Sequence, residues 1–257
     1  MYRIVFLDID GTILDSKEEL SLELVQTVKK LQQKGILVGL ATGRSYDGAK
    51  KYGEQLGTSI FVTYNGGFSL INGEIIHDGK IPAALAYLLC SATEELGNTY
   101  IHFSYRSSCS NRPAKGIEYL LPEAKLSDLN DTNRDAHRLV LYVNQEQRAI
   151  LQETAKDAAA PFDEGDRLEV FPKGSKWTGI LPIITHLGIS PEEVVTIGNG
   201  ANDIGMLEAA GLGIAMGNAP DHVKEKADVV TEDNDHDGVI LALNKVFSLN
   251  KQSIFMV

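Results

Sequence analysis

Residues 3–7, RIVFL, form a short apolar and β-branched run that stops at Asp8, Asp10 and Gly11. That pattern predicts a buried strand delivering the chain into a tight loop. From Lys17 to Lys34, Leu20, Leu24, Val28 and Leu31 recur at helical spacing, and Gly35 supplies a C-terminal stop. The run ILVGLAT then ends at Thr42-Gly43, a polar helix-like segment reaches about Leu56, and SIFVTYN follows as another strand. This βαβαβ rhythm predicts a parallel sheet with helices on both faces, where ligands collect at the carboxyl ends of the strands. Asp8, Thr42 and Asn65 all stand at such ends.

Toward the other end, VVTIGNGANDIGMLEAAGLGIAMGNA repeats the pattern of strand, glycine-rich turn, helix and strand, and ADVVT adds one more strand. The middle differs. YIHFSYR, HRLVLYV and RLEVFP alternate in part, as half-buried strands do, and helical candidates lie between them at 82–97, 115–121 and 145–159. The pattern predicts an α/β core formed by residues 1–82 and 173–257, carrying a separate α+β insert at 83–172.

Length and composition agree with one large domain carrying a smaller one: 257 residues, 43% hydrophobic and 23% charged. The net charge of −11 repels nucleic acid and anionic membrane surfaces, which argues against both as partners. Cys90 and Cys109, the two cysteines, lack metal-ligand spacing, so a disulfide framework or thiolate zinc site has no support. The N-terminal apolar run is too short and too acidic for a secretory signal, and no stretch reaches membrane-spanning length. A soluble cytoplasmic protein is the expectation, as monomer or homodimer.

The sharpest chemistry lies in Asp8-Ile9-Asp10-Gly11-Thr12. Side chains alternate along an extended backbone, so Asp8 and Asp10 fall on one side and can share a site. Such a pair binds a hard cation, or one member attacks while the other moves a proton. Two strand-end acids are ordinarily solvated loop residues; here the glycine exit and the other strand-end groups favour chemistry.

The motifs DIDGT at 8–12, ATGR at 41–44, YNGG at 64–67, KGSKWTGI at 173–180 and GNGANDIGML at 198–207 occur in the order found in the haloacid dehalogenase superfamily. The chain resembles in particular its Cof-like phosphatases, which carry a large C2-type (IIB) cap after the third core strand. The resemblance implies a Rossmann-like parallel-sheet core with an inserted α+β cap, and hydrolysis of small phosphomonoesters, sugar phosphates or flavin-pathway phosphates among them. It implies Asp8 as the nucleophile that forms an aspartyl-phosphate and Asp10 as the general acid and base. Ile9, Thr42, Gly43, Lys176 and Asn202 would hold the phosphate, and Asp8, Asp10, Asn199 and Asp203 would hold Mg2+. Lys173 is the rival to Lys176, Arg44 has no assigned role, and Trp177 stands where the family often has a small residue, which would crowd the entrance.

At Asn199 the family usually has Asp. Asn keeps a coordinating oxygen and loses a negative charge, so a weakened enzyme that chiefly binds phosphorylated metabolites is the competing reading, with a phosphomutase as a third. Asp203, four residues on, would share a helical face with Asn199 and restore acidic support, or serve the helix dipole. In the insert, Arg106, Arg112 and Lys115 form a basic cluster that is a solvated surface or a substrate-selecting element. The apolar tail at 253–257 can pack on the core or on another subunit, and the sequence leaves both open.

Overall fold

The computed structural model describes residues 1–105, 107–112, 125–126 and 128–249. Its first half runs β1 (Ile4–Leu7), α1 (Leu22–Gln33), β2 (Leu37–Ala41), α2 (Tyr46–Leu56), β3 (Ile60–Thr63), β4 (Phe68–Ile71), β5 (Glu74–Asp78) and α3 (Ala83–Glu95). Then follow β6 (Thr99–Ser104), β7 (Ser107–Ser110), β8 (Lys125–Leu126), β9 (Arg138–Tyr142), α4 (Gln145–Ala155), β10 (Ala159–Asp163) and β11 (Leu168–Pro172). The chain closes with α5 (Lys176–His186), β12 (Val194–Gly198), α6 (Ile204–Ala209), β13 (Leu212–Ala215), α7 (Asp221–Lys224), β14 (Val229–Val230) and α8 (Gly238–Phe247).

The larger sheet has the order β14-β13-β12-β1-β2-β3-β4-β5, parallel from β14 to β3. Along β1, Val5 and Leu7 pack with Leu24, Val28 and Leu31 of α1 and Leu243 of α8. Ile4 and Phe6 face the opposite layer, with Ile180, Ile183 and Ile184 of α5. Burial on both faces is why these strands read as continuous apolar runs. The first helix begins at Leu22, later than the expected Lys17, because Ser21 caps it: its hydroxyl accepts from the Leu24 amide at 3.1 Å.

Two antiparallel strands, β4 and β5, extend this sheet beyond the expected parallel rhythm. Asn72 and Gly73 both adopt positive φ, 51° and 84°, the backbone that a tight hairpin turn with the strands' own twist requires.

The second sheet has the order β10-β11-β9-β6-β7-β8. In place of the expected helix over 145–159, the helix stops at Ala155 and Ala159–Asp163 pairs with β11. Pro161 is tolerated there because β10 is an edge strand, where a missing amide donor costs no ladder bond. The helical candidate at 115–121 lies outside the described residues. One face of this sheet packs Leu139, Leu141 and Val170 against Leu89 of α3 and Leu151 of α4. The other face joins the main core cluster through Ile101, Phe103, Val140 and Phe171. It is tied down near the end of β3: the Tyr64 hydroxyl donates to the Ser104 carbonyl at 3.2 Å, and the His137 ring stacks on Tyr64 at 5.3 Å and pairs with Asp78 at 2.7 Å.

Candidate active site

Asp8 follows β1 directly, and its amide continues the parallel ladder by donating to the Ile197 carbonyl at 3.0 Å. Its carboxylate is buried, and Oδ1 accepts from Lys176 Nζ at 2.5 Å. Lys176 is the first residue of α5 and is fully buried, with a second bond to Asp203 Oδ1 at 2.6 Å. The helix start reaches this depth through Gly66, whose φ is 95° and at which a Cβ would lie 1.9 Å from the Ser175 carbonyl oxygen. Lys173 points elsewhere, to the Asp157 carbonyl at 2.9 Å.

Three ionisable groups thus share one buried site. Burial pushes the Asp8 carboxyl up to about 7, the Asp203 carboxylate adds to that, and Lys176 opposes it. Burial alone would lower Lys176, but Asp203 and Asp8 outweigh it and hold the ammonium above its ordinary value.

Asp10 leaves the same loop in another direction. Its carboxylate is over half exposed and is gripped by Arg44, from Nε at 2.9 Å and Nη2 at 2.5 Å. The Arg44 guanidinium also lies 5.2 Å from the Tyr52 ring centroid. Arg44 therefore gains a definite neighbour that motif order had not supplied, and the two aspartates point to different cations from one strand end. Ile9, between them, buries its side chain in the core, which leaves its main-chain amide as the group available to an anion.

Thr42 stands beside Asp8 because β2 pairs with β1. It is fully buried, its hydroxyl accepts from the Arg44 amide at 3.1 Å, and its carbonyl accepts from the Asn65 amide at 3.0 Å. Asn65, held at φ 53°, accepts from Asn202 Nδ2 at 2.9 Å, and its side chain lies against Gly43. Thr42, Gly43, Asn65 and Asn202 so form one rim of neutral polar groups. Asn65 in this rim, and Thr12 beside Asp8, were given no site role from the sequence; strand-end placement was the available signal for the first and the DIDGT motif for the second.

Asn199 faces the Asp10 carbonyl, Asp8 Oδ2 and Thr12 Oγ1. The amide orientation that satisfies all three turns Nδ2 inward, donating at 2.9, 3.3 and 3.1 Å respectively. Thr12 donates in turn to Asp8 Oδ2 at 3.2 Å. These oxygens converge on the Asn199 amide, and hard oxygen donors of this kind suit Mg2+. Among the described residues, no three His, Cys, Asp or Glu side chains gather as a metal cluster, so a cation held here would have to use the Asp10 carbonyl and the oxygen of a turned Asn199 amide as well as the Asp8 carboxylate.

Asp203 has different partners from the metal role expected of it. Oδ1 is taken by Lys176, and Oδ2 accepts from the Asn199 and Gly200 amides at 2.9 and 2.8 Å. Ala201–Asp203 form a single 3-10 turn leading into α6, and Asp203 folds back onto the loop amides before it, at the helix start, in place of the shared face with Asn199. Trp177 packs partly buried against the core cluster that contains Ile180 and Ile183. Of the basic cluster, Arg106 and Lys115 lie outside the described residues, and Arg112 is exposed. No helix among the described residues is long and apolar enough to cross a membrane.

Known proteins resemble this chain over most of its length. Residues 5–243 match the haloacid dehalogenase-like hydrolase family. YkrA of Bacillus subtilis (strain 168) is 32% identical over 260 residues, covering 95% of this chain and 97% of that protein. The 5-amino-6-(5-phospho-D-ribitylamino)uracil phosphatase YcsE of the same strain is 28% identical over 253 residues, covering 94% of each chain. The solved structure of the subclass IIB sugar phosphatase BT4131 superposes with a TM-score of 0.83 over 96% of this chain and 99% of that one, and at 24% identity it speaks to the fold, a core with a cap. Fold, strand-end site and family match agree, and the chain belongs to the haloacid dehalogenase-like hydrolases.

Proposed function

We propose that this hydrolase is a phosphatase of small phosphorylated metabolites, with Asp8 as nucleophile and Asp10 as general acid and base. The observation that carries the reading is the buried Asp8–Lys176–Asp203 chain at the carboxyl edge of the sheet. A lysine held between two carboxylates keeps the Asp8 oxygen oriented and offsets the charge of an incoming phosphoryl group. The rim of Thr42, Gly43 and Asn202 offers uncharged donors to the phosphoryl oxygens. Asp10, at the solvent side, protonates the leaving oxygen and later takes the proton of the attacking water, so that Asp8 passes through an aspartyl-phosphate. Arg44 holds the Asp10 carboxylate at that side.

Asp8, the Asp10 carbonyl and Asn199 would hold Mg2+, with the Asn199 amide turned so that its oxygen faces inward; Asp203 supports the site from behind through Lys176 and the loop amides. When bound, the cation supplies neutralising charge to the phosphoryl oxygens and to Asp8. The substrates that match the family are sugar phosphates and flavin-pathway phosphates, the second in keeping with the name of YcsE.

Hydrolysis of p-nitrophenyl phosphate with and without Mg2+, against Asp8→Ala as the blank, tests the reading. Magnesium-dependent turnover that vanishes in Asp8→Ala is the expected result; turnover that survives Asp8→Ala would sink it. Asn199 favours a second reading, since its amide nitrogen already donates to the acceptors a cation would use. A protein of that kind binds phosphorylated metabolites without turnover, and saturable phosphate binding with no hydrolysis at any Mg2+ concentration would select it.

A further inference from the structure

At the edge of the larger sheet, a groove of about 500 Å³ lies between α8 and the strands β13 and β14, sharing no residue with the catalytic site. Leu241 and Val246 of α8 form one wall, Val229 and Val230 of β14 the other, with Ile214 between them and Tyr2 also lining it. Val229, Val230 and Leu241 are 38%, 49% and 48% exposed, an unusual concentration of aliphatic surface on a chain of net charge −11.

The chain itself supplies an apolar segment at that point. α8 ends at Phe247, Ser248 turns the backbone with φ 50°, and the Leu249 amide closes the turn on the Asn244 carbonyl at 3.2 Å. Lys34 Nζ fixes this end by donating to the Phe247 and Ser248 carbonyls. Lys245 and Val246, in the last turn of α8, line the groove, so the described chain ends, at Leu249, within about one helical turn of it. Beyond the polar residues 250–253 stand Ile254, Phe255, Met256 and Val257. Five to eight extended residues reach about 17–26 Å, enough to return along the roughly 15 Å of a ten-residue helix.

Topology decides how such a segment can sit. The crossover from β1 through α1 to β2 runs toward β5, and α8 lies on the same face as α1. A tail returning from α8 as a parallel strand beyond β14 would cross the other way with its helix on that same face, which makes a left-handed connection. Strand addition is therefore disfavoured, and side-chain insertion between α8 and the sheet is left.

We propose that residues 250–257 fold back along α8 and seat Ile254 and Phe255 in this groove. In the full-length Val230→Cys, Phe255→Cys variant, oxidation is expected to give an intrachain disulfide in a monomer, the two native cysteines being buried. A link between chains would assign the groove to a second copy and overturn the proposal, as would the absence of any link. In full-length Ile254→Asp, Phe255→Asp, amide exchange over 229–232 and 241–246 is expected to rise about tenfold while turnover is unchanged. Exchange that does not move would equally overturn it.

Discussion

Two buried charge clusters in this protein have the same ingredients and opposite designs. At the carboxyl edge of the core, one lysine, Lys176, serves two carboxylates, Asp8 and Asp203. In the cap, one carboxylate, Glu169, serves two arginines, Arg138 at 2.6 Å and Arg167 at 2.8 Å. Arg138 is also flanked by the Phe103 and Phe171 rings, 5.3 and 5.5 Å from their centroids. The core cluster has an excess of negative charge and leaves Asp8 Oδ2 facing only the neutral Thr12 and Asn199 groups. A site short of positive charge is suited to a cation and an anionic substrate; in the cap Arg167 also pairs with Asp166 at 2.9 Å, so the charges balance and, with the aromatic packing, hold two cap strands together. The difference teaches that buried charge marks chemistry where its balance is incomplete.

The largest test is to break the core cluster at its centre. Lys176→Met leaves Asp8 and Asp203 buried without their common partner, and removing one member of a buried ion pair costs about 3–5 kcal/mol. Chemical denaturation is expected to show a loss of that size, smaller where one carboxylate takes up a proton. Hydrolysis should fall by about a hundredfold or more, since a donor aimed at developing charge is lost. A variant that keeps both stability and turnover would end the argument from incomplete balance.

How much of these clusters was legible in the sequence follows from how each is built. Asp8, Lys176 and Asp203 sit in motifs at strand ends or helix starts, positions that a parallel sheet brings to one edge whatever the loops do. Arg138 and Glu169 lie inside apolar strands, HRLVLYV and RLEVFP, where nothing local tells which side chains meet; the antiparallel register of β9 and β11 makes the pair. The Arg44–Asp10 contact was hidden for a related reason, because alternation along an ideal strand put Asp8 and Asp10 on one side. Past Asp8 the backbone is no longer a strand: β1 ends at Leu7, a helical turn opens at Ile9 between the two aspartates, and Asp10 swings to Arg44. The hairpin of β4 and β5 did carry a local signal in Asn72-Gly73, which the regular βα rhythm masked.

The contact between Asp10 and Arg44 gives the next effect in size. Arg44→Met frees Asp10 from its fixed direction, and misplacing a proton-transfer group by about 1 Å costs up to about a hundredfold. A ten- to hundredfold drop in kcat with little change in KM is expected in steady-state assays, with partial recovery in Arg44→Lys. A change confined to KM would make Arg44 a substrate ligand instead.

The cap cluster predicts a loss of stability with chemistry intact. Arg138→Met leaves Glu169 with one arginine in a buried setting, a cost of about 1–3 kcal/mol, read as a lowered unfolding midpoint. The pH dependence has a definite sign. Burial alone would raise Glu169, but Arg138 and Arg167 outweigh it and hold the carboxyl below its ordinary 4.5. A depressed folded value stabilises above 4.5 and loses that contribution as pH falls through the folded value. In Arg138→Met, acid unfolding should therefore begin at a higher pH than in the natural sequence, while turnover near neutrality stays within about twofold. Equal acid midpoints would show that Arg167 alone holds Glu169.

The smallest expected effect bears most directly on what the core cluster is for. Asn199→Asp replaces an amide that donates to Asp8 and to the Asp10 carbonyl with a carboxylate that can only accept. Without Mg2+ the variant brings another negative charge to a pocket that already holds Asp8 and Asp203 around one lysine, so its thermal midpoint should fall by a few degrees. Added Mg2+ should recover that loss, and the recovery should exceed any midpoint rise in the natural sequence, because a ligand that binds the folded state stabilises it in proportion to its affinity. The Mg2+ concentration giving half-maximal rate should drop several-fold, about 1 kcal/mol, with kcat nearly unchanged at saturation. The thermal measurement needs no turnover, so it also separates a poor metal ligand from a wrong substrate. If Mg2+ shifts both proteins equally, Asn199 stands outside the donor set, and the convergence of Asp8, the Asp10 carbonyl and Thr12 on its amide is a hydrogen-bond arrangement that the negative core requires on its own account.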